Sequence, residues 1–218
     1  MGFDLKRFGL RQFVVRFLLA LGCASVSCSA GHQVENVYRA SVRLPPHVRR
    51  VAVLPVNIAE ADPAAESGRD DLEPVLHGEL RKVNDFDVVL VSREQLRALT
   101  GRLEWAAQEE LPHDFLPGLR QATGCDAVLF VKLTSYRPYA PVALGWEMEL
   151  VDVASSQVLW SVDQTFDAGE PGTACAALHY CAERIHAVAR PDLWTVRSSP
   201  HRFGQFTLHA VFSTLPAR

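Results

Sequence analysis

The sequence lacks the run of roughly 20 apolar residues that a helix needs to cross a bilayer. It also has no CxxC pair, which removes zinc ribbons and thioredoxin-like redox sites. No GxSxG elbow for a hydrolase nucleophile, no GxxxxGK[ST] phosphate loop and no HExxH zinc helix occur. No excess of basic residues is present: the net charge of −3 supplies no positive field for nucleic acid. No internal repeat is visible. What is there is globular: 48% of the 218 residues are apolar and 22% charged, outside the range of disordered chains.

The amino terminus departs from this average. Lys6, Arg7, Arg11 and Arg16 outnumber Asp4, and a short apolar run, Phe17 to Leu21, follows before Gly22 and Cys23. A positive flank, a short greasy core and a small residue before a cut site make a secretory signal. Leu19-Ala20-Leu21-Gly22-Cys23 resembles the lipobox of bacterial lipoproteins, in which the peptide is cut before the cysteine and its thiol carries a diacylglyceryl group. The family prefers leucine three places before the cysteine, where this chain has Ala20. Cys28, after Ser25-Val26-Ser27, is a second candidate but lies farther from the apolar core. The alternative is cleavage after a small residue such as Ala30, which leaves a soluble periplasmic protein. The resemblance implies a triacylated Cys23, and more than one acyl chain is what stable anchoring needs.

These segments divide the chain into a signal peptide (1–22), a lipid-anchored tether (23–47), an α/β domain (48–190) and a C-terminal helical extension (191–218). The tether has no clear period and contains Pro45-Pro46. Arg43, Arg49 and Arg50 cluster where the domain begins, in a solvated or lipid-headgroup-facing role. Of the five cysteines, Cys175 and Cys181 share a predicted helix with Cα atoms roughly 9 Å apart, too far to bridge. Beyond Cys23, buried free thiols are the default, although an oxidising periplasm permits a disulfide.

Arg50 to Val56 reads as a buried strand, and 57–69 as a loop rich in Ala, Glu, Asp, Pro and Gly. A helix is expected from Asp70 or Asp71, with Leu72, Val75, Leu76, Leu80 and Val83 on one face. Phe86 to Val91 is the second strand, Ser92 an N-cap and Gly101 a helix stop. Asp114 caps a further helix ended by Gly124, and Asp126 to Leu133 is the third strand. Val142–Val153 and Gln157–Phe166 read as an antiparallel hairpin turning at Ala154-Ser155-Ser156. Helical stripes follow at Ala174 to Val188 and from Pro200 to Leu215. The order β-α-β-α-α-β-β-β-α-α specifies an α/β sandwich, a mixed sheet packed with helices, plus C-terminal helices.

Four segments carry a resemblance: Arg50-Val51-Ala52-Val53-Leu54-Pro55, Asp87 to Leu96, Thr123-Gly124-Cys125-Asp126-Ala127-Val128-Leu129, and Glu149 to Trp160. In this order they resemble a group of bacterial envelope proteins that includes the curli-secretion lipoprotein CsgG, the penicillin-binding-protein activator lipoprotein LpoB and the amino-terminal domain of TolB. The resemblance covers about residues 48 to 166. It implies a non-enzymatic lipoprotein at the periplasmic face of the outer membrane, where the domain binds a protein partner or joins an envelope or secretion assembly. Homo-oligomerisation is open. Ala24 after the cysteine is not the Asp that retains some lipoproteins at the inner membrane. Pore formation is not carried over, because the loops are too short and Tyr136 to Pro141 holds two prolines.

Cys23 is thus the one residue with an assigned chemistry; no catalytic, cofactor-binding or metal-binding residue is designated. His179 and His186, seven apart beside Cys181, are too far apart for a metal pair without further ligands. Glu109-Glu110 and Asp70-Asp71 read as solvated acids. Trp146 and Trp160 read as cross-strand core neighbours. The competing reading is a periplasmic or lipid-anchored enzyme with a dispersed site, which requires the fold to gather polar residues such as His113, Asp126 and Glu147.

Overall fold

The computed structural model describes residues 34–59, 63–83, 85–184 and 192–218. Its strands are β1 (Val37–Arg39), β2 (Arg50–Val53), β3 (Asn57–Ile58), β4 (Asp87–Leu90), β5 (Ala127–Arg137), β6 (Ala143–Asp152) and β7 (Val158–Asp167). Its helices are α1 (Pro63–Leu80), α2 (Arg93–Thr100), α3 (Phe115–Thr123), α4 (Pro171–Arg184), α5 (Leu193–Ser198) and α6 (Pro200–Phe212). The strands form one seven-stranded sheet in the order β1-β7-β6-β5-β2-β4, with β3 pairing β5 in line with β2. β2 is parallel to β4 and β5, whereas β5, β6, β7 and β1 are successively antiparallel. The sheet is therefore mixed, as the alternation of elements requires.

All but one of the capping signals work as read. Ser92 and Gln95 close a reciprocal capping box on α2, and Gly101 ends it in the left-handed conformation at φ 81°. Gly124 ends α3 in the same way, but Asp114 makes no side-chain cap.

Three segments differ from the sequence reading. Asn57–Ile58, read as loop, pairs with β5; two residues are too few to show an alternation. Val37–Arg39, within the stretch read as tether, pairs with β7, and Leu44 is buried beside an isolated bridge from Arg43 to Ala217. Three paired residues are too few to generate a period. The helix expected at Asp70 begins instead at Pro63, where a missing N–H costs nothing, and continues past Pro74. Its early turns sit tightly on the sheet: a Cβ on Gly68 would lie 2.6 Å from the Tyr136 ring.

Two apolar clusters lie on opposite faces. The larger places Leu129, Val131, Leu144, Trp146, Trp160 and Phe166 against α1, α4, α5 and α6. The smaller places Ala52, Leu54, Val128 and Phe130 against α2 and α3, with Trp105 edge-on to Phe115. Trp146 and Trp160 are fully buried, yet they are not cross-strand neighbours: Trp160 is opposite Leu150, and Trp146 is opposite Gln164. Each instead donates its indole N–H to α6 or the turn after it, Trp146 to Thr207 and Trp160 to Thr214, both at 3.0 Å.

Cys125 and Cys181 are buried free thiols, as expected. Cys175 departs from that default and is disulfide-bonded.

Candidate functional site

Beyond the smaller cluster, the same face of β6 and β7 carries polar residues: Glu147, Glu149, Ser161, Asp163 and Thr165 are half-buried or exposed. Strand alternation puts them there, opposite the buried Trp146, Met148 and Val162. Lys132 Nζ lies 3.0 Å from Glu147 Oε2. Gln108, from the loop between α2 and α3, donates to Glu147 and, at 3.0 Å, to Glu149. Burial pushes the Glu149 carboxyl above the usual range; Glu147 adds to the rise, and the bond from Gln108 opposes it. The void among Ala106, Gln108, Lys132 and these two acids is about 10 Å³, room for about one water and not for a substrate.

A second polar group lies past the carboxyl ends of β2 and β4, the place where α/β sheets commonly bind ligands. Arg93 Nη1 donates to Glu73 Oε2 at 2.8 Å, Arg93 Nε to Glu104 Oε1 at 3.3 Å, and Arg69 Nη1 to the same Glu104 oxygen at 3.0 Å. Glu73 Oε1 also accepts the Val56 N–H at 3.1 Å, and Arg93 Nη2 reaches the Val56 carbonyl. Burial works against the Arg93 charge, but Glu73 and Glu104 outweigh it and hold the guanidinium more firmly protonated. Nearby His77 is drawn below its ordinary value, by burial first, with Glu73 opposing. These groups satisfy one another, so the network clamps α1, α2 and the following loop together. The sequence reading missed it, because its members come from separate elements and share no spacing.

The residues proposed for a dispersed active site do not converge. His113 is exposed in the loop before α3. Asp126 accepts the Arg49 and Arg50 backbone N–H groups at the start of the parallel strands. Glu147 is opposite Lys132, six residues farther along β5 and about 20 Å away at strand rise. Glu109 is paired to Arg102, and Asp70 to Arg69. His179 forms an exposed pair with Glu183, while His186 and Cys23 lie outside the described residues.

The end of the sheet where β5 turns into β6 exposes large apolar side chains, as Tyr38 and Val42 do near β1. Tyr139 in that turn is 81% exposed; on α5, Trp194 is 69% and Leu193 45% exposed. The other three tryptophans are buried. The support beneath these side chains is ordered. Val142 N–H donates to the Arg197 carbonyl at 3.0 Å, Arg197 Nε to the Ala168 carbonyl at 3.0 Å, and Arg137 bridges to Asp167 and to the Pro141 carbonyl, both at 2.8 Å. Pro138 and Pro141, which bracket the turn, cannot donate to a strand ladder, and that was the signal in the sequence that this aromatic residue leaves the sheet.

No protein-family model matches the chain, and no curated protein matches it in sequence. Solved structures with a similar fold include the PelC dodecamer from Paraburkholderia phytofirmans, at 18% identity and TM-score 0.48, covering 84% of this chain and 97% of that one. Lipoprotein GNA1162 from Neisseria meningitidis is similar at 18% identity and TM-score 0.39, over 54% of this chain and 79% of its own. The C-terminal domain of LpoB from Escherichia coli is similar at 20% identity and TM-score 0.34, over 54% of this chain and 82% of its own. These likenesses concern the fold. They place LpoB, named in the group that the sequence motifs resemble, among the structures that this chain is similar to. Among the described residues no helix is long and apolar enough to cross a membrane.

Proposed function

We propose that this protein is a bacterial envelope lipoprotein, acylated on Cys23 and held at the periplasmic face of the outer membrane, whose α/β domain binds a protein partner without catalysing a reaction. The observation that carries the binding role is the braced end bearing Tyr139 and Trp194. Tryptophan and tyrosine dominate the energetics of protein interfaces, and a rigid support lowers the entropy lost on docking. Both side chains project from a turn and a short helix that are hydrogen-bonded to the sheet end, so their exposure is built into the fold.

The test is crosslinking in intact envelopes followed by capture and mass spectrometry. Tyr139→Ser and Trp194→Ser should each deplete the partner recovered with the wild-type chain while leaving thermal stability unchanged. An unchanged capture profile in both variants would refute the assignment of this surface. For the anchor, Cys23→Ser should release the protein from membranes; unchanged fractionation without an acyl mass would sink that part of the reading.

A further inference from the structure

At the opposite end of the sheet from Tyr139, the segment that enters β2 and the last residue of the sequence enclose a groove of about 570 Å³. Its lining is Ser41, Arg43, Leu44, Pro45, Pro46, Arg49 and Arg218, with no Asp or Glu side chain among them. The volume is that of a small-ligand pocket. The walls are fixed: Leu44 and Val48 are buried, Leu44 N–H donates to the Ala217 carbonyl at 2.8 Å, and Arg218 Nη1 donates to the Asp85 carbonyl at 3.1 Å. The Arg43 and Arg49 guanidinium groups form no ion pair or hydrogen bond with any described residue. Asp126, at the same strand entry, is turned onto the Arg49 and Arg50 backbone N–H groups. Asp152 is engaged by His47, Ser155 and Ala154, while Asp87 and Asp85 adjoin the segment through backbone bonds, the Asp87 N–H donating to the Arg49 carbonyl and Arg218 donating to the Asp85 carbonyl.

We infer that this groove binds a phosphoryl group, as an anionic phospholipid headgroup or as a soluble phosphate ester. Guanidinium forks match the geometry of phosphate oxygens, and the three arginines lining the groove carry more charge than the terminal carboxylate of Arg218 beside them, which leaves a net positive site for an anion. Reach does not oppose the lipid source. Eleven residue steps separate Cys23 from Val34 (34 − 23), at most about 40 Å of extended chain. That exceeds the roughly 20 Å of strand between Gln164, where Glu35 is attached, and the start of β7. The inference does not rest on the partner-binding end and stands or falls separately from it.

The test uses the full chain carrying Cys23→Ser, so that no acyl chain contributes. One arm measures co-sedimentation with phosphatidylethanolamine vesicles with and without phosphatidylglycerol; the other titrates inorganic pyrophosphate by calorimetry. The expected result is saturable, salt-sensitive binding in at least one arm. Arg43→Ala with Arg49→Ala should weaken it about thirtyfold, on the basis of the charge–headgroup attraction of each arginine. Arg120→Ala, an exposed arginine on α3 that is not among the residues lining the groove, should leave it unchanged. Binding confined to phosphatidylglycerol vesicles identifies the lipid source, and binding of pyrophosphate the soluble one. No binding in either arm, or equal losses in the double variant and in Arg120→Ala, overturns the inference.

Discussion

Trp146 offers a strict test of how the antiparallel half of the sheet is held to its helical layer. The side chain is fully buried, and its indole N–H donates to Thr207 Oγ1 at 3.0 Å; that hydroxyl in turn donates to the Gly204 carbonyl at 3.1 Å. Trp146→Phe removes part of a packed ring and the only donor on it. The lost contacts and residual cavity should cost about 1–2 kcal/mol, and the hydrogen bond about 1 kcal/mol, for a total of about 2–3 kcal/mol. Thr207→Val keeps the shape but leaves the indole N–H buried without an acceptor, a penalty of about 1–3 kcal/mol. In the double variant neither polar group remains to be stranded. Its loss should therefore fall short of the sum of the singles by about 1 kcal/mol. Urea denaturation followed by far-ultraviolet circular dichroism measures all three values, and Trp146→Phe should lower Tm by about 4–12 °C. Losses that add to within about 0.5 kcal/mol would refute the claim that this hydrogen bond couples β6 to α6.

Asp152, with a side chain only 5% exposed, is held below the usual carboxylate range: burial pushes its pKa up, but bonds from Ser155, His47 and the Ala154 N–H outweigh it. A depressed acid contributes stability above its unfolded pKa of about 3.9 that is lost as pH falls through the folded value. Asp152→Asn should thus lower Tm at pH 7, and the gap to wild type should shrink in melts below about pH 4; a constant gap counts against the reasoning. In α1, Gly78 has open space where a Cβ would go, so Gly78→Ala should gain about 0.5–1 kcal/mol in urea denaturation. Gly68→Ala should lose stability against the Tyr136 ring, and equal gains at both sites would contradict the packing described. Cys125 and Cys181 are buried and free. Non-reducing peptide mapping after alkylation should therefore recover both as thiols, and a disulfide at either would contradict their burial as free cysteines.

The mixed sheet and its helices were legible because each rests on local signals that no long-range contact overrides. The hairpin β6–β7 announces itself by alternation, and α2 by a capping box and a left-handed glycine within ten residues. The failures have one cause. β1 is three residues long, and its place is fixed by β7, more than a hundred positions later. The first turns of α1 carry few apolar residues, and what holds them is the ring of Tyr136 filling the space beside Gly68. Likewise Trp146 and Trp160 were correctly placed in the core by hydrophobicity, but their register was not, because a strand's period says which face a residue takes and not which residue it meets.

The two candidate surfaces lie beyond sequence pattern for a related reason. The arginine groove joins Arg43 to Arg218, and the aromatic end joins Tyr139 to Trp194, through loops whose positions are set by the sheet. Between those ends the polar groups are saturated: Arg93, Glu73 and Glu104 neutralise one another past the parallel strands, and Gln108 and Lys132 occupy the acids on the open face. A ligand that docked on either network would have to replace bonds already made, at a cost of the order of 1–3 kcal/mol for each charged group left unmet. At the ends no such replacement is needed, since Arg43 and Arg49 have no carboxylate to leave and Trp194 and Tyr139 are already solvated. Binding there has to displace water and order the side chains, but it breaks no ion pair. That asymmetry is why the proposed sites, for a phosphate-bearing ligand on one side and a protein on the other, are assigned to the ends of the strands and not to the faces of the sheet.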